Sequence, residues 1–83
     1  MPKVILYTTP YCSFCQRAKL LLKSKHVAFD EIDVSDDALR DELVARTAWR
    51  TVPQIFIGEV FIGGYDELQG LDDDGLLDEM LAA

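Results

Sequence analysis

The sequence predicts an α/β fold: a mixed four-stranded sheet built in the order β-α-β-α-β-β-α, with helices on both faces. Three observations predict it. The apolar pattern switches from a nearly continuous run at residues 3–8 to a helical period at 13–25. A second strand-then-helix pattern follows at 27–47. Two short β-rich runs, 53–57 and 60–62, then flank the loop Gly58-Glu59, where a glycine in first place suits a tight hairpin. At 83 residues the chain has the size of one domain, read as a single unit over 1–83.

Each element has its own warrant. Residues 3–8, KVILYT, suit a central strand covered on both faces, which loses polar alternation. Over 13–25, Phe14, Ala18, Leu21 and Leu22 share a helical face, with Gln16, Arg17, Lys19 and Lys23 opposite. Lys23 and Lys25 complement the dipole at the helix end, and His26 follows as a solvated cap. Residues 27–34, VAFDEIDV, read as a second strand, with a phase slip near Glu31 that marks a bulge or an early strand end. Ser35 is placed to cap the next helix, with Asp36 and Asp37 in its first turn and Leu39, Leu43 and Val44 on its apolar face, ending near Thr47. After Gly63-Gly64 comes a polar–apolar segment with Leu68 and Leu71. A last short helix then carries Leu76, Leu77, Met80 and Leu81, with Asp72 to Asp74 at its start. The first β-α-β unit crosses right-handed, so its strands are parallel, and the hairpin adds two antiparallel strands.

Composition narrows the function. Hydrophobic residues make up 49% of the chain, so a folded core is expected. The net charge is −7: all eight Lys and Arg lie in residues 1–50, and residues 51–83 carry acids only. Nucleic-acid binding needs a basic surface and is not expected. No apolar run is long enough to span a membrane and no secretory signal is visible, so the expected location is the cytoplasm.

The chemistry centres on PYCSFCQR, residues 10–17. Cys12 falls where the first strand hands over to the first helix. A helix start offers unpaired N–H groups and partial positive charge, which favour the thiolate, the form that attacks disulfides. Cys15 lies one turn deeper on the same face, placed to close a ring with Cys12. Cys12 is therefore the candidate nucleophile and Cys15 the resolving thiol. Three other readings are weaker. A structural disulfide closing so small a loop stabilises little. A zinc site needs about four ligands, and His26 is the only histidine. Two inert core cysteines would not explain the strand-to-helix position.

YTTPYCSFCQRAKLLL, WRTVPQIFIG and IGGYDELQGL together resemble a glutaredoxin of the small bacterial dithiol type, in the same order and spacing over essentially the whole chain. The resemblance implies a thioredoxin-like fold, glutathione as reductant, and a monomer acting on glutathione mixed disulfides and on disulfide or glutathionylated proteins. It implies a cis bond before Pro53, a backbone pairing site for glutathione at Val52 with Thr51 at the same rim, and Phe14 and Tyr11 as walls around the sulfur. Gly64 then offers backbone to the γ-glutamyl carboxylate, and Asp66 or Glu67 takes the amine. Arg40 and Arg50 match positions that help bind the glycine carboxylate.

Four departures stand out from that pattern. Ser13-Phe14 replaces Pro-Tyr between the cysteines, Thr9 replaces a lysine, Tyr65 stands where cysteine is frequent, and Trp49 precedes RTVP, either as a surface aromatic or as a rim residue that touches a protein substrate. Relatives with a non-proline linker include some that share a 2Fe–2S cluster through the first cysteine, so a cluster carrier ligated by Cys12 is one alternative. A redoxin reduced by thioredoxin reductase is another.

Overall fold

The computed structural model describes residues 2–83. The elements are β1 (Val4–Thr8), α1 (Ser13–Ser24), β2 (Asp30–Asp33), α2 (Asp37–Thr47), β3 (Gln54–Ile57), β4 (Val60–Gly63), α3 (Tyr65–Asp73) and α4 (Leu76–Ala82). The sheet order is β2-β1-β3-β4. β1 runs parallel to β2 and antiparallel to β3, and β4 closes the hairpin. This is the thioredoxin-like arrangement that the resemblance implied.

The alternation of β1 sets the two faces. Val4, Leu6 and Thr8 are buried, while Ile5 and Tyr7 are half-buried on the other side. On the first side, Leu6, Ile55 and Ile57 pack with Ala18 and Leu22 of α1, Leu68 of α3, and Leu77 and Leu81 of α4. On the other side lies α2, whose Arg46 reaches over Tyr7 and Phe56 and whose Thr47 bonds to Gln54. Gly58 takes φ +62, the left-handed conformation that a tight hairpin needs at this position.

Several local readings change. The second strand is four residues long, because residues 27–29 lie outside the ladder, where Val27 and Phe29 pack on the core edge and Ala28 is exposed. The phase slip therefore marks a short strand, with β2 wholly exposed at the sheet edge. Ser35 is not the cap of α2: its N–H and hydroxyl both donate to Asp33 Oδ1. Asp36 caps instead, accepting from the N–H groups of Ala38 and Leu39. The segment after Gly64 is a helix of its own, α3, so Asp72 and Asp73 end that helix instead of starting α4. Acids there oppose the dipole. Asp72 is compensated by Lys25, whose Nζ sits 2.6 Å from Asp72 and 3.1 Å from Asp78. His26 has φ +59 and its N–H bonds back to Lys23, as a helix stop does.

Candidate functional site

Cys12 is the N-cap of α1, with extended backbone at φ −101 and ψ 109. Its Sγ accepts a hydrogen bond from the Cys15 N–H at 3.0 Å. A cysteine sulfur thus takes the role that a serine or aspartate oxygen usually fills at a helix start. The sulfur gains a donor and the positive end of a dipole, both matched to negative charge. Its own S–H faces the Val52 carbonyl at 3.5 Å.

Cys15 has a different environment. It is 0% exposed and shares the buried stripe of α1 with Ala18 and Leu22. Phe14, counted on that stripe from sequence, lies at its edge and is 48% exposed. Burial pushes the Cys15 thiol up to about 12, helped by the neighbouring Cys12 and partly opposed by the Thr9 backbone and the Lys19 charge. Both cysteines are free thiols. The pair is thus one reachable sulfur that caps a helix and one buried sulfur held neutral.

Beside Cys12 lies a groove of about 290 Å³, lined by Phe14, Trp49, Thr51, Val52, Pro53, Gly64, Tyr65, Asp66 and Glu67. Seven of the sequence-expected residues meet there. The Val52–Pro53 bond is cis. Gly64 lies close to both walls: a Cβ there would sit 3.3 Å from Glu67 Oε1, a tight contact, and 3.5 Å from the Pro53 carbonyl oxygen, an ordinary one. Glu67 is committed locally, since its Oε1 accepts the Gly64 N–H at 2.9 Å, the one half of a capping box that a glycine N-cap allows. Asp66, in the same first turn and exposed, is not part of that cap.

Four expected residues lie outside the groove lining. Tyr11 and Ser13 are exposed around Cys12. Arg50 is exposed, and Arg40 donates through Nη2 to the Arg50 carbonyl at 3.1 Å. Arg40 therefore braces the loop that carries Arg50.

Two aromatic residues were seen in the sequence as departures but not counted in the site. Tyr65 lines the groove with its ring centroid 6.2 Å from that of Phe14. Trp49 also lines it, edge-on to Phe61 at 5.7 Å, with Nε1 buried and unpartnered among the described residues. A further residue escaped notice: buried Gln54. Its Nε2 donates to the Trp49 carbonyl at 2.6 Å, and its Oε1 accepts from Thr47, whose Oγ1 also accepts the Trp49 N–H. This network fixes the loop that leads into Thr51 and Val52. The available signal was an amide in an otherwise apolar strand, PQIFI.

A 2Fe–2S cluster takes four ligands, most often cysteine thiolates. Among the described residues no group of three or more His, Cys, Asp and Glu is arranged to hold a metal. With Cys15 buried, one chain offers Cys12 alone, so the residues present do not make a cluster site without outside ligands.

Comparison with known proteins agrees with this geometry. The family model Glutaredoxin matches residues 4–62. The chain is 48% identical to a glutaredoxin of Pseudomonas aeruginosa, over 100% of both chains. It is 46% identical to glutaredoxin 3 of Escherichia coli, over 98% of this chain and 99% of that one. The crystal structure of a buckwheat glutaredoxin–glutathione complex superposes with a TM-score of 0.92 at 32% identity, covering 98% of this chain and 77% of that chain.

Proposed function

The chain belongs to the glutaredoxin family of thiol–disulfide oxidoreductases, and on that premise we propose that it reduces glutathione mixed disulfides and protein disulfides with glutathione as electron donor. The observation that carries the proposal is the asymmetry of the cysteine pair. Cys12 Sγ is reachable, capped by an N–H at 3.0 Å, and opens beside the groove, while Cys15 is buried one turn below. The glutathione complex of the buckwheat relative supports glutathione as the ligand.

In the proposed reaction the Cys12 thiolate attacks the glutathionyl sulfur of a mixed disulfide. The Cys12–glutathione bond forms as the old S–S bond breaks, and the departing thiolate takes a proton from solvent. A second glutathione thiolate then attacks the glutathionyl sulfur bound to Cys12. This regenerates the Cys12 thiolate and releases oxidised glutathione. With a protein disulfide, Cys15 gives up its proton and attacks Cys12 Sγ, forming Cys12–Cys15 and freeing the reduced protein. Two glutathiones then reduce that bond. Glutaredoxin potentials near about −200 to −230 mV lie close to the glutathione couple, so the cycle runs on it.

In this reading Val52 pairs with the cysteinyl backbone of glutathione, as an added strand would. The first-turn N–H groups after Gly64 take its γ-glutamyl carboxylate, and Asp66 takes its amine. Arg50 reaches the glycine carboxylate from the rim. The protein acts as a single-domain monomer of the cytoplasm.

The test is glutathione-coupled reduction of a small mixed disulfide by wild type, Cys12→Ser and Cys15→Ser. Cys12→Ser is expected to be inactive, and Cys15→Ser to keep substantial turnover. A wild type that ignores glutathione but accepts electrons from thioredoxin reductase overturns the proposal.

A further inference from the structure

Residues 1–29 hold five Lys and Arg and no Asp or Glu, in a chain whose net charge is −7. Three of these five cations are neutralised: Lys3 by Asp30, Lys19 by Glu31, and Lys25 by Asp72 and Asp78. Arg17 is used differently. Its guanidinium lies over the Phe14 ring, 5.3 Å from the centroid, and no carboxylate is within ion-pair distance among the described residues. The Phe14 ring helps to place the guanidinium, whose forked N–H groups suit a carboxylate. On the other side of Cys12 in sequence, Tyr11 is 99% exposed. Neither Tyr11 nor Arg17 lines the groove assigned to glutathione. An aromatic and cationic edge therefore lies beside the reacting sulfur with no role in the reaction described above.

We propose that Tyr11, Phe14 and Arg17 dock the protein half of a glutathionylated substrate, and that Arg17 selects an acidic residue two or three positions from the modified cysteine. This rests on the reading of Cys12 as the attacking sulfur. The substrate disulfide must meet Cys12 Sγ, so the chain on either side of it passes over the flanking surface. Arg17 is five residues past Cys12, about 7.5 Å along the helix axis and about 140° around it, and its long side chain lies back over the Phe14 ring. An extended substrate covers about 7–10 Å in two or three residues. The carboxylate then falls on the guanidinium while apolar neighbours lie on Tyr11 and Phe14. Phe14, which also lines the groove, marks the boundary between the substrate's two halves, with glutathione in the groove and the protein on the Tyr11 and Arg17 side.

The experiment compares two synthetic glutathionylated peptides that differ only in an Asp or a Lys three positions from the cysteine. Turnover is measured with glutathione, using wild type and Arg17→Glu, with a small glutathione mixed disulfide as a third substrate. Wild type is expected to favour the Asp peptide about threefold in kcat/KM, the size of one exposed ion pair. Arg17→Glu is expected to reverse the order. The wild-type preference also fades in 0.5 M salt, which reads the same contact without a substitution. Equal kcat/KM for both peptides, with normal turnover of the small mixed disulfide, overturns the docking edge alone. Loss of turnover on all three substrates overturns the glutathione reading and the docking edge together.

Discussion

Glu67 and Asp66 are adjacent carboxylates with separate duties. The resemblance left open which of them takes the amine of glutathione. Glu67 Oε1 is held by the Gly64 N–H at 2.9 Å, so its charge is spent on the start of α3. Asp66 is the free acid of the groove. Asp66→Asn is expected to raise the KM for glutathione about fivefold, from the ~1 kcal/mol of an exposed ion pair, with the urea midpoint unchanged. Glu67→Ala is expected to lower stability by about 1 kcal/mol through the lost hydrogen bond. Steady-state kinetics and urea melts on the two variants separate the roles, and a larger KM effect at position 67 would reverse the assignment. Gly63 supports the same turn: its φ is +113, and a Cβ would come within 3.0 Å of Glu67 Cγ.

α1 carries both the chemistry and much of the core. Its N-terminus holds Cys12 and its buried stripe runs through Cys15, Ala18 and Leu22. Leu20, on the outer face, is 65% exposed. Leu22→Ala is expected to cost about 2–5 kcal/mol, as core leucine truncations do. Leu20→Ala is expected to stay within about 0.5 kcal/mol. Denaturant unfolding of both variants checks the contrast, which an error in helix phase would invert. The stripe also explains why Phe14 is free to wall the groove. Cys15 occupies the buried position and Phe14 falls one residue off it, toward Cys12 and Tyr65.

Burying a thiol in a small domain couples folding to pH. In the reduced protein Cys15 keeps its proton until about 12, while its ordinary value is 9.0. Between these values the unfolded chain has lost a proton that the native state retains. The unfolded state binds fewer protons there, so unfolding becomes easier as pH rises. Below pH 9 this contribution is fully present. The reduced wild type is therefore expected to lose stability from pH 9 upward more steeply than Cys15→Ala. Urea midpoints between pH 8 and 10.5 read the slope, and parallel curves for the two proteins would remove the linkage. In the proposed cycle the buried Cys15 acts only on protein disulfides, so the two proposed turnovers draw on sulfurs with different environments.

Local patterns in the chain were enough for most of the architecture. The change of apolar period at Thr8 and Ser13, the Gly58 turn and the two strand runs of the hairpin fix element order, because each depends on neighbours only a few residues apart. The strand-to-helix position of the cysteine pair is local in the same way, and so is its chemistry at a helix N-terminus. Contacts between distant segments settled the rest. Asp36 displaced Ser35 as a cap because Ser35 was drawn to Asp33. Asp72 tolerates a helix C-terminus because Lys25, remote in sequence, reaches it. Gln54 holds the loop carrying Trp49, and the groove exists because residues 49–53 and 64–67 converge on α1. Periodicity and propensity carry no information on such pairings, since their energy comes from groups that meet only after the sheet has formed.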